Sequence, residues 1–171
     1  MLYTSTRDKS VRVSSAQAIA QGISVDGGLF VPTEIPSIDK AFVDSLVPLD
    51  YISRAKKVLS LYLTDYTEEE IAYCVEGAYK AGKFSSDKVS PIKRIEGGAN
   101  ILELWRGPTC AFKDMALQLL PYLLTTAAGK TVKDKTIVIL VATSGDTGKL
   151  HLRASRMYPE QKLWCSILMT A

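Results

Sequence analysis

A single lysine, Lys113, stands between Phe112 and Asp114 in the segment Gly107-Pro108-Thr109-Cys110-Ala111-Phe112-Lys113-Asp114, where a helix-forming run begins. A lysine at a helix opening feels the positive end of the helix dipole, and apolar cover from Phe112 would add desolvation; both disfavour the ammonium form. A neutral amine is a nucleophile, as Schiff-base formation with an aldehyde cofactor requires. Taken alone, F-K-D reads more simply as a solvated lysine in a first helical turn. A second segment, Thr143-Ser144-Gly145-Asp146-Thr147-Gly148, follows the Val/Ile/Leu run Ile137 to Val141. At the end of a strand and the start of a helix, Ser144, Gly145, Asp146 and Thr147 would offer hydroxyls and backbone N–H groups to an anion, a carboxylate or a phosphate. A tight turn with no ligand is the bland alternative. A Walker A loop is not matched, because it needs Gly where Thr143 stands and Ser or Thr where Leu150 follows Lys149.

The surrounding elements alternate between helix and strand, which predicts a mixed α/β fold. Ser14-Ser15-Ala16-Gln17 has the form of a capping box, and Gly22 closes the short Ala-rich helix behind it. Asp26-Gly27-Gly28 turns the chain into a strand at Leu29-Phe30-Val31, which Pro32 and Pro36 stop. Thr67-Glu68-Glu69-Glu70 is a second capping box; Ile71, Val75, Ala78 and Tyr79 follow at helical spacing, and Gly82 closes the run. Ile101 to Leu104 reads as a strand, Asp114 to Thr126 as a helix bent near Pro121, and Thr136 to Ala142 as a buried strand of parallel type. Strand, helix, strand and loop make the start of a βαβ unit. A domain boundary is expected between Ser85 and Pro91.

Composition narrows the classes of function. The chain has 171 residues, 47% of them hydrophobic, enough to bury a core in one domain, or in one small domain plus part of another. The 21 basic and 18 acidic residues are dispersed without a Lys/Arg block, which argues against nucleic acid as a partner. The 3 cysteines, Cys74, Cys110 and Cys165, are odd in number and far apart, which suggests neither a disulfide framework nor a metal site and fits a reducing cytoplasm. No apolar run approaches the roughly 18 residues of a membrane span, so a soluble protein is expected. The only histidine is His151, so a His-based triad is excluded unless that one residue serves.

Four stretches, taken in order, resemble threonine synthase, a family of pyridoxal-phosphate (PLP) enzymes of fold type II: Tyr3 to Arg7, Gly22 to Pro32, Leu102 to Asp114 and Ala142 to Lys149. The family's usual H-G-P-T-L-A-F-K-D stands here with Arg106 for His and Cys110 for Leu. The resemblance implies a small helical N-terminal domain over residues 1–88 and part of a PLP-binding α/β domain over 89–149. It also implies that Lys113 binds the cofactor and shuttles protons, that Phe112 lies beside it, and that Ser144 to Thr147 bind the substrate carboxylate. The implied reaction converts O-phospho-L-homoserine and water to L-threonine and phosphate. In the family, the cradle for the cofactor phosphate and the partner of its ring nitrogen lie after the point where this sequence ends, so the chain alone is expected to be inactive. Another fold-type-II PLP lyase acting on a phosphorylated or hydroxylated amino acid, and a non-catalytic interaction protein derived from the family, are the alternatives.

Past Lys149 the resemblance stops. If the codons of residues 150–171 are reread one base earlier, three become fixed: Met157-Tyr158 gives GTA (Val), Trp164-Cys165 gives GTG (Val) and Met169-Thr170 gives GAC (Asp). Permitted third bases elsewhere allow A-A-L-E-G-F-A-D-V-P-G-T-K-T-M-V-F-Y-P-Y-D-G, which is similar to the family's continuation. Residues 150–171 are therefore expected to be a frameshifted tail.

Overall fold

The computed structural model describes residues 1–132, and residues 137–143 and 161–167 as backbone strands. The chain divides into two compact units, one of residues 1–77 and 122–133, the other of 78–121 and 134–171.

The first unit is helical around a two-stranded sheet. Strand β1 (Tyr3–Ser5) pairs antiparallel with β2 (Phe30–Pro32), placing Thr4 opposite Val31. The turn at Asp26-Gly27-Gly28 brings the strands together: the Asp26 carboxylate accepts hydrogen bonds from Ser5 Oγ and from Gly28 N, each at 2.8 Å. A Cβ on Gly28 would lie 2.1 Å from Ser5 Oγ, and Gly27 has φ +76°. Both turn positions therefore favour glycine.

Helix α1 (Ser15–Gln21) begins as its capping signal predicts, with Gln17 N donating to Ser14 Oγ at 3.2 Å. It ends at Gly22, whose φ is +76°. A second cap on α1 comes from much further along the chain. The Asp65 carboxylate accepts from Ser15 Oγ, and from Ala16 N at 2.9 Å. A negative charge thus stands at the helix's positive end. Burial pushes the Asp65 pKa up, but the hydrogen bonds from Ser15 and Ala16 outweigh it and hold the carboxyl below its ordinary value.

Helices α2 (Lys40–Leu46) and α3 (Tyr51–Tyr62) are not among the elements that the sequence predicts. Each starts at an aspartate N-cap, Asp39 accepting from Phe42 N and Asp50 from Ser53 N, both at 2.7 Å. Such caps satisfy orphan N–H groups of the first turn. The Arg54 guanidinium joins the two helices end to end, donating to the Leu46 and Val47 carbonyls at 2.8 Å. The C-terminal groups of α2 are satisfied in this way.

Helix α4 (Glu68–Tyr79) opens on a complete capping box. Glu70 N donates to Thr67 Oγ1 at 3.2 Å, and Thr67 N to the Glu70 carboxylate at 2.7 Å. Its apolar stripe, with Ile71, Cys74 and Val75, is buried. The expected helix from Asp114 to Thr126 is two helices, α5 (Asp114–Leu117) and α6 (Leu120–Thr131). Pro121 does not bend the middle of one helix. It sits in the first turn of α6, where its missing N–H costs nothing. Helix α6 packs on α4 through Tyr122, edge-on to Tyr73 at a ring separation of 5.6 Å, and through Thr126 at the Cys74 thiol. Buried Tyr66 donates from its hydroxyl to the Leu123 carbonyl at 2.9 Å. Desolvation drives its phenol pKa far up. Lys130 lies over the Tyr66 ring, 5.5 Å from its centre, while pairing with Glu70 at 2.7 Å. The ammonium is therefore held by the ring face and a carboxylate together.

In the second unit, β3 (Ile92–Arg94) and β4 (Asn100–Leu102) form an antiparallel hairpin. Its turn runs through Gly97 and Gly98, whose φ values are +89° and +87°. Only glycine takes such angles freely. The strand expected over Ile101 to Leu104 ends at Leu102; Glu103 adds one more bond, its N–H to the Pro91 carbonyl at 2.9 Å. Strand β5 (Ile137–Thr143) pairs with β6 (Gln161–Ile167) in parallel, Leu140 opposite Trp164, so the expected strand has a partner of the predicted sense.

Candidate active site

The hairpin leads directly into the lysine segment. Glu103, 7% exposed, holds Arg106 through a hydrogen bond of 2.7 Å from Arg106 Nε and a second contact to Arg106 Nη2. The Arg106 carbonyl accepts from Ser85 N at 2.8 Å. The guanidinium is thus tied to a buried carboxylate and the backbone to a neighbouring loop, so the chain enters Gly107 from a fixed point.

Next comes a tight turn. Cys110 N donates to the Gly107 carbonyl at 3.1 Å, and Cys110 itself has φ +59°. That is a left-handed conformation, uncommon outside glycine. Asp114 N then donates to the Ala111 carbonyl at 3.0 Å, and the Lys113 carbonyl accepts from Ala116 N and Leu117 N at 3.1 and 2.9 Å. Lys113 therefore occupies the N-cap of α5, the helix opening that its sequence position predicts. That helix is a single turn, which limits the dipole acting on Lys113. Lys113 is half-buried, whereas Phe112 is 65% exposed, so the phenyl ring gives the amine no enclosing apolar cover. It presents an open aromatic face instead.

Asp114 locks the turn from below. Its side chain is fully buried, and Oδ2 accepts from both Thr109 N and Thr109 Oγ1, at 2.9 and 3.0 Å. Only glycine at position 107 leaves room for this. A Cβ there would lie 2.3 Å from Asp114 Cβ and 2.5 Å from Oδ2. The sequence singles out Lys113 and Phe112 but not the parts played by Asp114, Thr109 and Gly107. The available signal is a Gly-Pro-Thr turn with a carboxylate a few positions after its threonine.

The structure thus assembles Lys113, Phe112, Asp114 and Thr109 into one short segment. Strand β5 ends at Thr143, while Ser144, Gly145, Asp146 and Thr147 lie outside the described residues.

Residues 2–79 match the family described as threonine synthase N terminus. Over 162 residues the chain is 36% identical to threonine synthase of Schizosaccharomyces pombe, covering 90% of this chain and 31% of that protein. It is 35% identical to threonine synthase-like 2 of Xenopus laevis, again over 162 residues, covering 91% of this chain and 33% of the relative. In fold it is similar to the PLP-bound threonine synthase of Brucella melitensis, with a TM-score of 0.84 at 30% identity over 98% of this chain and 35% of that one. The chain spans about a third of the length of these relatives, and in sequence and fold it corresponds to the N-terminal part of threonine synthase.

Proposed function

We propose that the chain is the N-terminal portion of a PLP-dependent, fold-type-II threonine synthase, which converts O-phospho-L-homoserine and water to L-threonine and phosphate. One observation carries the reading: a lysine stands at the head of α5 on a turn locked beneath it, in a chain whose fold matches a PLP-bound threonine synthase at a TM-score of 0.84. The donor set fits an aromatic aldehyde, since Lys113 supplies a half-buried primary amine and Phe112 an open aromatic face beside it. When bound, the cofactor supplies an electron sink for charge developing at the substrate's Cα.

The chain's own residues have four tasks. Lys113 anchors the cofactor and moves protons at the substrate carbons, alternating between acid and base. Phe112 orients the ring. Ser144, Gly145, Asp146 and Thr147 offer hydroxyls and backbone N–H groups to the substrate carboxylate. Glu103 and Arg106 fix the point at which the chain enters the lysine turn. The free thiols of Cys74 and Cys110 are consistent with a cytoplasmic setting. Among the described residues no helix is long and apolar enough to cross a membrane.

A second reading, a different phospholyase of the same fold type, is favoured by Arg106 standing where threonine synthases usually have histidine. Expression of a full-length protein with the frame restored after Lys149 tests both. Threonine formed from phosphohomoserine supports the first reading; phosphate release without threonine supports the second. Lys113→Ala should abolish cofactor absorbance and turnover together, and a variant that turned over normally would remove Lys113 from the mechanism.

A further inference from the structure

Asp114 is a fully buried carboxylate that spends one oxygen on both donors of Thr109, while the other, Oδ1, has no hydrogen-bond partner among the described residues. Leaving a polar oxygen buried and unmatched is costly, and such a group persists where its remaining contacts hold something in place. What these contacts hold is the bend of the lysine turn. They draw Thr109 back onto the first residue of α5, across the left-handed kink at Cys110, and they require glycine at position 107. Lys113 is the residue directly before the carboxylate, and its carbonyl starts the helix.

We propose that Asp114 is a positioning residue for Lys113: clamped to Thr109, its carboxylate fixes the bend from which the lysine leaves the turn. The inference rests on the reading of Lys113 as the reactive amine, and it adds a residue that acts through Lys113 and touches neither substrate nor cofactor. Asparagine can keep an oxygen facing Thr109 and so preserve the clamp. Alanine cannot.

The test is competitive trace acetylation of the 171-residue chain with acetic anhydride, scored by peptide mass spectrometry as the labelling of each lysine relative to Lys40. The Lys40 side chain is 87% exposed and serves as the solvent-exposed standard; Lys56, 32% exposed and paired with Glu76, reports on the fold of the other unit. In the parent chain the Lys113:Lys40 ratio should differ from one. Asp114→Ala should bring it to about one while the Lys56:Lys40 ratio holds, because loss of hydrogen bonds to a charged acceptor shifts an open–closed equilibrium by roughly tenfold or more. Asp114→Asn should restore the parental ratio, whereas Asp114→Leu, which fills the space but accepts no hydrogen bond from Thr109, should not. Should Asp114→Ala unfold its own unit, hydrogen exchange in the β3–β4 hairpin of that unit shows it, and Thr109→Val, which removes one donor of two, decides: a shift of Lys113 with the hairpin still protected supports the proposal and no shift overturns it. A parental ratio of one, an unchanged ratio in a folded Asp114→Ala chain, or failure of Asp114→Asn to rescue would each overturn it. The labelling needs neither cofactor nor turnover, so the proposal fails independently of the threonine synthase reading, which threonine formation by the frame-restored protein tests.

Discussion

Two glycines in facing helices should respond to the same substitution with opposite signs. Gly77 lies in α4 and Gly129 in α6. Replacing a helical glycine by alanine ordinarily gains about 0.8–1 kcal/mol. At Gly129 nothing lies within 4 Å of the added Cβ. Gly129→Ala should therefore raise stability by about 0.5–1 kcal/mol, reduced a little by its place near the helix end. At Gly77 the Cβ would stand 2.2 Å from Tyr122 Cε1 and 2.5 Å from Cζ. Carbon atoms in contact sit roughly 3.5–4 Å apart, so the overlap is about 1 Å or more. The tyrosine ring has little room to retreat, being 8% exposed and set edge-on against Tyr73. Forcing an extra carbon into such a contact costs about 1–3 kcal/mol or more, and an overlap of this size belongs in the upper part of that range, so after a helix gain of about 1 kcal/mol Gly77→Ala is destabilising by about 1–2 kcal/mol. Urea unfolding followed by far-UV circular dichroism measures both, and m should stay constant if only stability has changed. Removing the ring should reverse the sign: in a Tyr122→Ala background, Gly77→Ala becomes stabilising, and the cycle reports the clash directly. A Gly77→Ala variant as stable as the parent would refute the packing of α6 on α4 as described.

Further outcomes are expected at Asp65, at Gly107 and in the DNA after the Lys149 codon. The Asp65 carboxylate gives α1 two hydrogen bonds to a charged group, so Asp65→Ala should cost about 1.5–3 kcal/mol. Because the folded pKa of Asp65 is depressed, its contribution is present above the ordinary carboxylate value and is lost as pH falls through the folded one; stability measured against pH should show a shallower acid limb in Asp65→Asn than in the parent. Gly107→Ala should drive its methyl into the buried Asp114 side chain and break the Thr109 clamp, giving the same Lys113 labelling change as Asp114→Ala. The accompanying destabilisation should be about 1–3 kcal/mol; unaltered labelling would count against the clamp. The DNA after the Lys149 codon should lack one base relative to an intact threonine synthase gene, and resequencing that shows an uninterrupted frame through a distinct tail would end that explanation.

The parts of the fold that can be read in the sequence are those whose causes lie within a few residues of one another. The capping boxes at Ser14 and Thr67 are such signals, and both helices begin where they say. Asp39 and Asp50 are caps of the same local kind, yet α2 and α3 do not stand out in the sequence. Neither helix buries a residue fully, so the apolar periodicity that marks α4 is blurred in them. The hairpin of β3 and β4 has a similar explanation: both strands are exposed along their whole length, and only Gly97-Gly98 announces the turn. Sequence alone runs α5 and α6 together because Pro121 looks like an interruption, when proline is better suited to a first turn.

What cannot be read are the contacts that join distant positions. Nothing near Ser15 announces that the Asp65 carboxylate will cap α1, and nothing near Gly77 announces the Tyr122 ring. The lysine segment shows the same division on a smaller scale. That Lys113 opens a helix is a local fact of the sequence. The reason it is held there depends on Gly107, Thr109 and Asp114 closing on one another, which a linear reading treats as separate letters of a motif. A local reading therefore finds Lys113 and overlooks the groups that fix its turn. Were Lys113 the reactive amine, its geometry would have to be held to within fractions of an ångström, and the overlooked residues are the ones that fix its turn. If the clamp at Asp114 holds, the aspartate that follows the lysine serves the amine by fixing its backbone, and substitutions at Gly107 or Thr109 should phenocopy its loss even though neither residue lies next to Lys113 in sequence.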